Sequence, residues 1–496
     1  MRVQGDGQQG MGLKARRLTL NGGLVALLFA AGACESKPAA EGVVADLTKA
    51  VYAAPGGWSG GEGTQEQPFD LGTALSAKSP VRPGGTVWLR GGTYRGSFTN
   101  GLTGTAEAPI TVRPIPGEAV VLDGATSAEP VLIVNGAWTV FRDFEVTNSD
   151  PRRLNPKVNR GGGVEVHGPN TKVINLVLHD TGGGIGMWSD AVDAEAYGNI
   201  IYYNGWMGAD RPHGHGIYTQ NKTGTRRIND NVIFRQFGAG IHAYGSEEAY
   251  LDSIEVEGNV LFNNGMAGGD FDILFGGGRI AKRPVFKANY TYDEPGAGAG
   301  NNLGYDTGCE GLLMKDNYFG AVKAGYAVQF VNCAGAVEDN VLVGIVRGIE
   351  RGTIVGHSEV TTKYPKNQFN LEPPTGQKVF VRPNRFQPGR AHVVVYNWDL
   401  AKQVRVDLGP VGIAPGSPFE IRDVQNLMDP PVVSGTYSGA PVMIPIGATT
   451  VAPVVGWQAT PKHTGAGFAV FLVTSSDEKP SAGSRLVASL RRMVGM

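Results

Sequence analysis

The chain has 496 residues, with 44 lysine and arginine residues against 45 aspartate and glutamate residues, and a formal net charge of -1. This balance excludes an overall positive field that would recruit a polyanion, so we expect no nucleic-acid partner. The 74 glycines and 30 prolines are spread along the chain and favour a turn-rich β protein over a helical one. The length allows two or three domains.

The first 34 residues have the layout of an export signal. Lys14, Arg16 and Arg17 precede an apolar run at 24–33, and Cys34 follows. The run is too short to span a bilayer as a helix. The segment AAGAC resembles a bacterial lipoprotein cleavage box, although alanine stands where leucine is usual. It implies a lipid on Cys34, membrane attachment at the outer membrane or cell surface, and a tether over 35–46. The alternative is a plain secretory signal and a periplasmic or secreted protein.

An asparagine recurs in one local context along the middle of the chain. A small or acidic residue precedes the asparagine in every copy but the first, where Ile174 does, and an apolar run follows it. The copies are at Asn175, Asn199, Asn231, Asn259, Asn289, Asn317 and Asn340. The steps are 24, 32, 28, 30, 28 and 23 residues. Asparagine tolerates a left-handed backbone and suits a sharp corner between strands. A constant unit with variable insertions therefore predicts a β-solenoid with three short strands per coil.

Between these asparagines lie glycine-led strands, such as GGVEVHG (162–168), GGIGMWS (183–189) and GHGIYTQ (214–220). Together the two motifs resemble the right-handed parallel β-helix of the pectin-lyase-like superfamily. GGTVWLRGGTYRG (84–96) looks like the first coil, and PFDLGTALSA (68–77) resembles the short helix that caps the open end. The resemblance covers roughly 47–362. It implies an all-β fold with its substrate groove on the sheet formed by the glycine-led strands.

After residue 366 the asparagine rhythm stops and strands of another style follow. Turn signals separate these strands at intervals typical of an antiparallel β-sandwich over 366–475. The segment resembles small C-terminal sandwich modules of carbohydrate enzymes. The alternative is a lid on the last coil with no ligand of its own. Residues 476–496 are interpreted as a polar tail.

Cys309 and Cys333 stand at matching positions in neighbouring predicted coils, in CEGLLMKDN and CAGAVEDN. Adjacent coils lie about 4.8 Å apart, which is within the Cα separation that a disulfide accepts. Export permits oxidation, so we predict a Cys309–Cys333 disulfide. Two buried thiols are the alternative.

The glycine-led strands predict one outward face. We align them at their first inward residues, which are Val164, Ile185, Ile217, Ile241 and Phe271. Because side chains alternate, the next residues point outward, namely Glu165, Gly186, Tyr218, His242 and Asp272. Two residues further along are His167, Trp188, Gln220, Tyr244 and Leu274. Aromatic rings can pack on the apolar faces of sugars, and the polar groups can bind hydroxyls.

The chemistry expected at this face follows from its histidines, tyrosines and acids. The candidate catalytic residues are His242, His215, Tyr218, Tyr244, Asp272, Asp210 and His213. The candidate substrate-binding residues are Glu165, His167, Trp188, Gln220, Arg211 and Trp206. Histidine and tyrosine can exchange protons in a lyase, arginine can pair with a uronate carboxylate, and a hydrolase would need two carboxylates.

Known catalytic signatures match this sequence only in part. GHG (214–216) resembles a polygalacturonase element, but the paired aspartates of that family are not evident upstream. DRPHG (210–214) is similar to the Asp-Pro-His element of alginate epimerases, with Arg211 inserted. We expect no cofactor; Ca²⁺ held by Asp190, Asp193, Asp270 and Asp272 is the alternative.

The expected function is therefore that of a surface-anchored enzyme acting on an extracellular polysaccharide. A lyase on a uronate-containing glycan is favoured over a glycoside hydrolase or an epimerase. The alternatives are a non-catalytic glycan-binding or adhesive protein and a purely structural role. We expect the protein to act as a monomer.

Overall fold

A computed structural model describes residues 46–294, 299–321 and 325–475. The predicted signal with Cys34, nearly all of the tether and the polar tail lie outside the described residues. Within these ranges, no helix combines the length and the apolar character needed to cross a membrane.

The residues from Ala50 to Asn370 wind into a solenoid with three sheets, here called A, B and C in the order in which each coil visits them. Their strands are parallel except Thr353–Val355, which pairs antiparallel with Val346–Glu350 at the end of sheet C. Sheet A contains Ala50–Ala53, Thr86–Leu89, Ile110–Pro114, Thr139–Arg142, Lys172–Ile174, Glu195–Tyr197, Arg226–Asn229, Ile254–Glu257, Ala281–Lys282, Val285–Lys287, Cys309–Lys315 and Cys333–Glu338. Sheet B contains Gly92–Arg95, Val120–Asp123, Glu145–Thr147, Val177–His179, Ile200–Tyr202, Val232–Phe234, Val260–Phe262, Tyr290–Asp293, Tyr318–Ala321, Val341–Val343 and Gln368–Asn370. Sheet C contains Phe98–Asn100, Leu132–Val134, Val164–Val166, Ile185–Met187, Ile217–Thr219, Ile241–Gly245, Ile273–Gly277, Gly300–Asp306, Tyr326–Val331, Val346–Glu350 and Thr353–Val355.

The predicted all-β solenoid is confirmed. Its last strand, Gln368–Asn370, pairs with Val341–Val343, so the winding continues past residue 362. The central residue of each short sheet B strand points inward, as Ile201, Ile233 and Leu261 do, and all three are fully buried in one continuous core. Because equivalent apolar residues stack from coil to coil, the hydrophobic effect fixes the register of every pair.

An asparagine ladder runs along the corner between sheets A and B. In each step, the side-chain oxygen of one asparagine accepts hydrogen bonds from the backbone N–H and side-chain amide of the asparagine one coil earlier. The ladder residues are Asn199, Asn231, Asn259, Asn289, Asn317, Asn340 and Asn367.

Two details differ from the sequence prediction. Asn175 is not a rung, because Ile174 pairs with Tyr197 and this register places Leu176 opposite Asn199. Asn367 is an additional rung. The left-handed backbone also belongs to the residue before the asparagine, for example Asp230 with φ 54° and Asp316 with φ 57°. This explains why a small or acidic residue precedes the rungs from Asn199 to Asn340, whereas Lys366 precedes Asn367.

Replacing Asn259 with alanine is expected to lower the free energy of unfolding by about 3 kcal/mol. Its side-chain oxygen accepts two bonds from Asn231, at 3.0 and 2.9 Å, and its side-chain nitrogen donates to the Ile228 carbonyl at 2.7 Å. The variant leaves these buried groups unpaired. Urea denaturation measures the effect, with the exposed Asn135 changed to alanine as the control. An equal loss in both variants would contradict the ladder's role.

Both ends of the stack are covered by short helices. The helix Leu71–Leu75 begins at Asp70, whose carboxylate accepts from the Thr73 N–H at 2.9 Å, and it buries Leu71, Ala74 and Leu75 against the first coil. This is the predicted cap. At the other end, the helix His357–Lys363 buries Val360 against the last coil.

The C-terminal module consists of two antiparallel sheets around a separate core. One sheet has Gln377–Pro383, Arg390–Asn397, Phe468–Ser475, Pro418–Asp423 and Val433–Thr436, and the other pairs Gln403–Val406 with Val442–Pro445. Two 3-10 turns, Gly409–Val411 and Val424–Asn426, lie in the connections.

This module lies along the outer face of sheet B, not over the last coil as a lid would. Tyr396 and Phe468 pack against Tyr292 and Phe262 of sheet B. The Tyr396 hydroxyl donates to the buried carbonyl of Thr291 at 2.9 Å. The aromatic residues that follow the ladder asparagines are therefore covered by the module, while sheet C stays available for ligands.

Candidate functional site

The outer face of sheet C carries the predicted side chains in one column. Glu165 pairs with Gly186, Gly186 with Tyr218, and Tyr218 with His242. For these four coils the register agrees with the alignment made from the sequence. Residues separated by 21 to 32 positions in the chain therefore become neighbours about 4.8 Å apart.

Asp272 does not belong to this column, and its assignment as a catalytic residue at this face is wrong. Ile241 pairs with Ile273 and not with Phe271, so Leu274 lies beside His242. The turn before this strand is two residues longer than the alignment assumed. Asp272 is fully buried, where it accepts a hydrogen bond from the Asn264 amide at 2.7 Å. Burial, followed by the nearby charge of Asp293, raises the pKa of Asp272 well above its usual value.

A strip of six rings crosses the face from coil to coil. Its members are His167, Trp188, Tyr218, His242, Tyr244 and Tyr305, with successive ring centroids 6.1, 5.5, 5.5, 5.6 and 6.5 Å apart. We call this set the aromatic strip. Tyr244 and Tyr305 are 36% and 38% exposed, which is unusual for such large rings on a sheet that has a buried side. The strip is a continuous surface on which sugar rings could stack.

Two histidines form a hydrogen-bonded pair at the centre of the face. His215 Nε2 and His242 Nδ1 are 2.9 Å apart, and the Ala239 backbone N–H donates to His215 Nδ1 at 3.2 Å. Because a backbone N–H can only donate, neutral His215 carries its proton on Nε2 and donates it to His242. The proton of neutral His242 is then on Nε2, which has no hydrogen-bond partner in the described ranges.

The environment keeps this pair uncharged near neutral pH. Burial lowers the pKa of His242 to about 4, assisted by the positive charge of Arg211. Burial, then the positive charges of His242, Arg211 and His213, lower the pKa of His215 well below its usual value. His242 therefore presents a neutral N–H donor. Both nitrogens of His215 are engaged in hydrogen bonds within the protein, to the Ala239 N–H and to His242.

Glu165 is the second polar group with an altered ionisation. Its carboxylate lies over Gly186, where an added Cβ would come within 2.0 Å of the Oε2 atom. Trp188 Nε1 donates to the same oxygen. Burial raises the pKa of Glu165, and the hydrogen bond from Trp188 and the charge of His167 offset only part of this rise. Gly186 is thus required for space, and Glu165 has the character of a group that can deliver a proton.

The loop that precedes the GHG segment folds into a small antiparallel ribbon. Trp206–Met207 pairs with Pro212–His213, and the rings of Trp206 and His213 stack at 4.7 Å. His213 Nε2 lies 2.8 Å from Asp210 Oδ1, and this hydrogen bond lowers the pKa of Asp210. His213 and Asp210 are therefore bonded to each other within the ribbon. Arg211 lies at the tip of the ribbon, and its side chain is 60% exposed. Its positive charge helps to lower the pKa of both His215 and His242.

The remaining predicted residues surround the strip. Gln220 donates to the Tyr218 hydroxyl at 3.2 Å and accepts from Ser189 at 3.0 Å. His167 Nδ1 is 3.2 Å from Asp190. Sequence reasoning missed Tyr305, because irregular pairing at Gly276 opposite Tyr305 shifts the strand register there. It also missed that Gly186 provides the space for Glu165, since a glycine gives no chemical signal.

The structure also places the other sequence-predicted sites. Cys309 and Cys333 form a disulfide between neighbouring sheet A strands, with a Cα separation of 4.4 Å. Among the described residues, no three or more His, Cys, Asp or Glu side chains cluster as metal ligands would. Of the four acids named for Ca²⁺, Asp272 lies in the core, Asp190 binds His167, and Asp193 accepts from the Thr225 N–H at 2.8 Å.

The comparison with protein families agrees with this architecture. A family described as right handed beta helix region matches residues 111–283. The chain therefore has a parallel β-helix fold, and its central part is similar to this right-handed β-helix family. Pectate lyase PEL9 of Emericella nidulans is 37% identical to this β-helix over 80 residues. That match spans 16% of this chain and 19% of the relative, so about a fifth of the relative's length is covered.

The solved structures that align with this chain include pectate lyase Pel9A, at 16% identity and a TM-score of 0.38. That alignment covers 60% of this chain and 80% of the other. A structure described as rhamnogalacturonan lyase aligns at 14% identity and a TM-score of 0.45, covering 65% of this chain and 87% of that one.

Proposed function

We propose that this protein is an exported enzyme that cleaves an extracellular polysaccharide, and that its preferred substrate contains uronate sugars. The observation that carries the proposal is the central histidine pair within the aromatic strip. A neutral N–H donor held by a second histidine, between stacking rings, is of little use to a purely structural surface. The local likeness to a pectate lyase supports the choice of a uronate glycan.

In the proposed lyase reaction a base removes the proton at C5 of a uronate, and the bond from C4 to its oxygen breaks. Charge develops on the uronate carboxylate as the proton leaves. His242 Nε2–H donates a hydrogen bond to that carboxylate, and Arg211 on the ribbon above supplies the opposite charge. Because His242 has no free lone pair in this arrangement, the proposed base is the Tyr218 oxygen, which accepts a hydrogen bond from Gln220. Reacting as its phenolate, Tyr218 takes the C5 proton while the C4–C5 double bond forms and the C4–O4 bond breaks. The tyrosine hydroxyl then passes this proton to the leaving O4, which restores the phenolate.

This assignment differs from the sequence-based expectation, in which the candidate histidines, and not only the tyrosines, exchange protons with the substrate. Reversing the tautomers would place a proton on His215 Nδ1, facing the Ala239 N–H that now donates to it. Losing that bond while opposing two donors is unfavourable. His215 is therefore proposed as a positioning residue, and His242 as the group that contacts substrate.

The test is incubation of the full protein with polygalacturonate and with alginate, following the ultraviolet absorbance of the unsaturated product. Wild type is expected to generate the absorbance on one of these glycans. Tyr218→Phe is expected to lower kcat by at least about 100-fold with little change in KM. Unchanged kcat in Tyr218→Phe would remove the assignment, and His357→Gln, at the far end of the stack, is the control.

The activity should also depend on pH in one direction set by His242. Its pKa of about 4 means that the ring is neutral above this pH and protonated below it. A proton on Nδ1 removes the acceptor for the His215 Nε2–H, so the hydrogen bond that positions the ring is lost. We expect kcat/KM to fall as the pH decreases through about 4. A midpoint near 6.5, the usual histidine value, would show that the pair is not held neutral.

A glycoside hydrolase is the second candidate, favoured by Glu165 alone. A buried carboxyl with a raised pKa is what a general acid requires. In that case Glu165→Gln abolishes turnover, and the products are new reducing ends without ultraviolet absorbance. Binding without either product would instead indicate a glycan-binding surface protein.

A further inference from the structure

A second concave surface lies on the outer face of sheet A, which is a different side of the coil from the aromatic strip. It encloses about 510 Å³ across four consecutive sheet A strands, from Thr86–Leu89 to Lys172–Ile174. Its side chains that bear rings or charge are Trp88, Trp138, Phe386, Arg113, Arg142 and Lys172. We call this surface the sheet A trough.

One wall of the trough comes from the C-terminal module. The Phe386 carbonyl accepts from Arg142 at 3.4 Å, and its ring meets the edge of Tyr197 at 4.9 Å. The neighbouring Arg385 N–H donates to the Tyr197 hydroxyl at 2.7 Å, and the Asn384 amide donates to Asn175 at 2.7 Å. This wall is therefore held in place by four polar or ring contacts, so the trough does not need to be assembled by a ligand.

The charge around the trough has an excess of cations. Arg113 and Arg142 both approach one carboxylate oxygen of Asp143, at 3.4 and 2.6 Å. In the same way, Lys172 and Arg385 share Glu195. Four cations thus face two carboxylates, which leaves a local charge of about +2, although the whole chain is close to neutral. Such a surface attracts anions.

The aromatic rings of the trough lie next to these charged side chains, so one ligand could contact both. The Arg113 guanidinium lies 5.7 Å from the Trp88 ring, and the Lys172 ammonium lies 5.4 Å from the Phe386 ring. The Lys172 side chain is 40% exposed. The three coil steps from the strand of Trp88 to that of Lys172 span about 14 Å. Aromatic rings beside a few directed charges are typical of a carbohydrate site.

We propose that the sheet A trough binds a short anionic oligosaccharide, with its sugar rings on Trp88, Trp138 and Phe386 and its carboxylates facing Arg113, Arg142 and Lys172. The site lies outside the catalytic face. It would hold a polysaccharide at a second point, so that binding there does not require the histidine pair. The trough needs both the β-helix and the C-terminal module, which gives the module a role in ligand recognition.

The test is calorimetric titration of the full protein carrying His242→Ala, so that turnover adds no heat, with trigalacturonate as the probe. Trp138→Ala and Lys172→Gln change different walls of the trough. Each is expected to weaken the affinity of the trough for trigalacturonate by at least about tenfold. Trp58→Ala, at a tryptophan that is 60% exposed elsewhere, and Lys157→Gln are the matched controls, with affinities expected to change less than about twofold. Maltotriose, which is uncharged, is expected to bind at least about tenfold more weakly.

Three results would overturn the proposal. The first is absence of saturable trigalacturonate binding, and the second is binding that neither trough variant changes although both retain the parent's melting temperature. The third is equal affinity for maltotriose, which would reject an anionic ligand. Because turnover on polygalacturonate is measured separately, a failure here leaves the catalytic proposal standing, and a failure there leaves this one standing.

Discussion

Replacement of His242 with alanine is expected to lower kcat/KM on the preferred acidic glycan by 10²- to 10⁴-fold, roughly the range for loss of one group that acts in the transition state. His242 is the member of the pair with a free N–H, and it lies between Tyr218 and Tyr244 in the aromatic strip. The measurement is the initial rate of product formation under kcat/KM conditions. The fold remains intact because the side chain is only half-buried on an outer face.

His215→Ala separates positioning from direct contact. Without His215 the imidazole of His242 keeps its chemistry but loses the Nε2–H donor that fixes its tautomer. A reduction smaller than that of His242→Ala, with the pH midpoint moved toward 6.5, is expected. The double variant should be no slower than His242→Ala alone, since the two residues act as a unit. An additive double variant, or an active His242→Ala enzyme, would contradict the account of the pair.

The second large effect concerns stability and is expected at His179. Its ring lies between Glu145, at 3.0 Å, and Asp180, at 2.8 Å, and stacks on Tyr202 at 4.9 Å. Asp180 also accepts from the Val455 N–H of the C-terminal module at 3.0 Å. Removing the imidazole leaves the buried carboxylate of Glu145 without its cation, whereas Asp180 keeps the Arg153 guanidinium at 3.1 Å. His179→Gln is therefore expected to lower the free energy of unfolding by about 3–5 kcal/mol.

His179 also makes the free energy of unfolding depend on pH, and this free energy is expected to decrease as the pH rises. Burial opposes a charge on His179, but the hydrogen bonds that the ring donates to Asp180 and Glu145 outweigh it and raise the pKa to about 10. The ring therefore holds its proton more tightly in the folded protein than in the unfolded chain, where the pKa is 6.5. Its stabilising contribution is complete below pH 6.5 and is lost as the pH rises through about 10. Urea denaturation at pH 6 and pH 10 measures this loss.

A paired variant provides the control for His179. In Glu145→Gln with His179→Gln, one charge of each sign is removed, and the loss of stability should be smaller than in His179→Gln alone. Both variants should lose the decrease in stability between pH 6.5 and 10. A wild-type protein equally stable at pH 6 and pH 10 would show that His179 is not protonated between the two acids.

The winding of the chain could be predicted from sequence because one local rule repeats. Each corner from Asn199 to Asn340 has a left-handed residue followed by an asparagine, and Asp230 with Asn231 meets that rule in the same way as Asp316 with Asn317. The rule is local, so it could be identified without knowing the contacts. The prediction failed at Asn175, because this asparagine occupies the left-handed position itself, with φ 55°.

The face of sheet C could be predicted only where the strands keep the same length of turn. From Glu165 to His242 the register is regular, and the column was predicted correctly. At Asp272 two additional residues in the turn moved a carboxylate from the surface to the core, and alternation alone cannot detect such a shift. The tautomers of the histidine pair depend on the Ala239 backbone N–H. Because almost every residue has such a group, the sequence does not indicate which one donates to His215.

The sheet A trough could not have been found from sequence at all. Trp88 and Phe386 are 298 positions apart, and nothing in either segment indicates that the C-terminal module lies along sheet B. Long-range packing between two domains decides this contact, and neither strand periodicity nor turn chemistry carries information about it.

The central claim, that the aromatic strip holds a glycan against the histidine pair, is tested most directly by a crystal structure of the His242→Ala protein soaked with tetragalacturonate. The account predicts sugar density over Trp188 and Tyr218, with a carboxylate within reach of Arg211 and the space left by the imidazole. Density confined to other surfaces, at a concentration that saturates binding in solution, would contradict it.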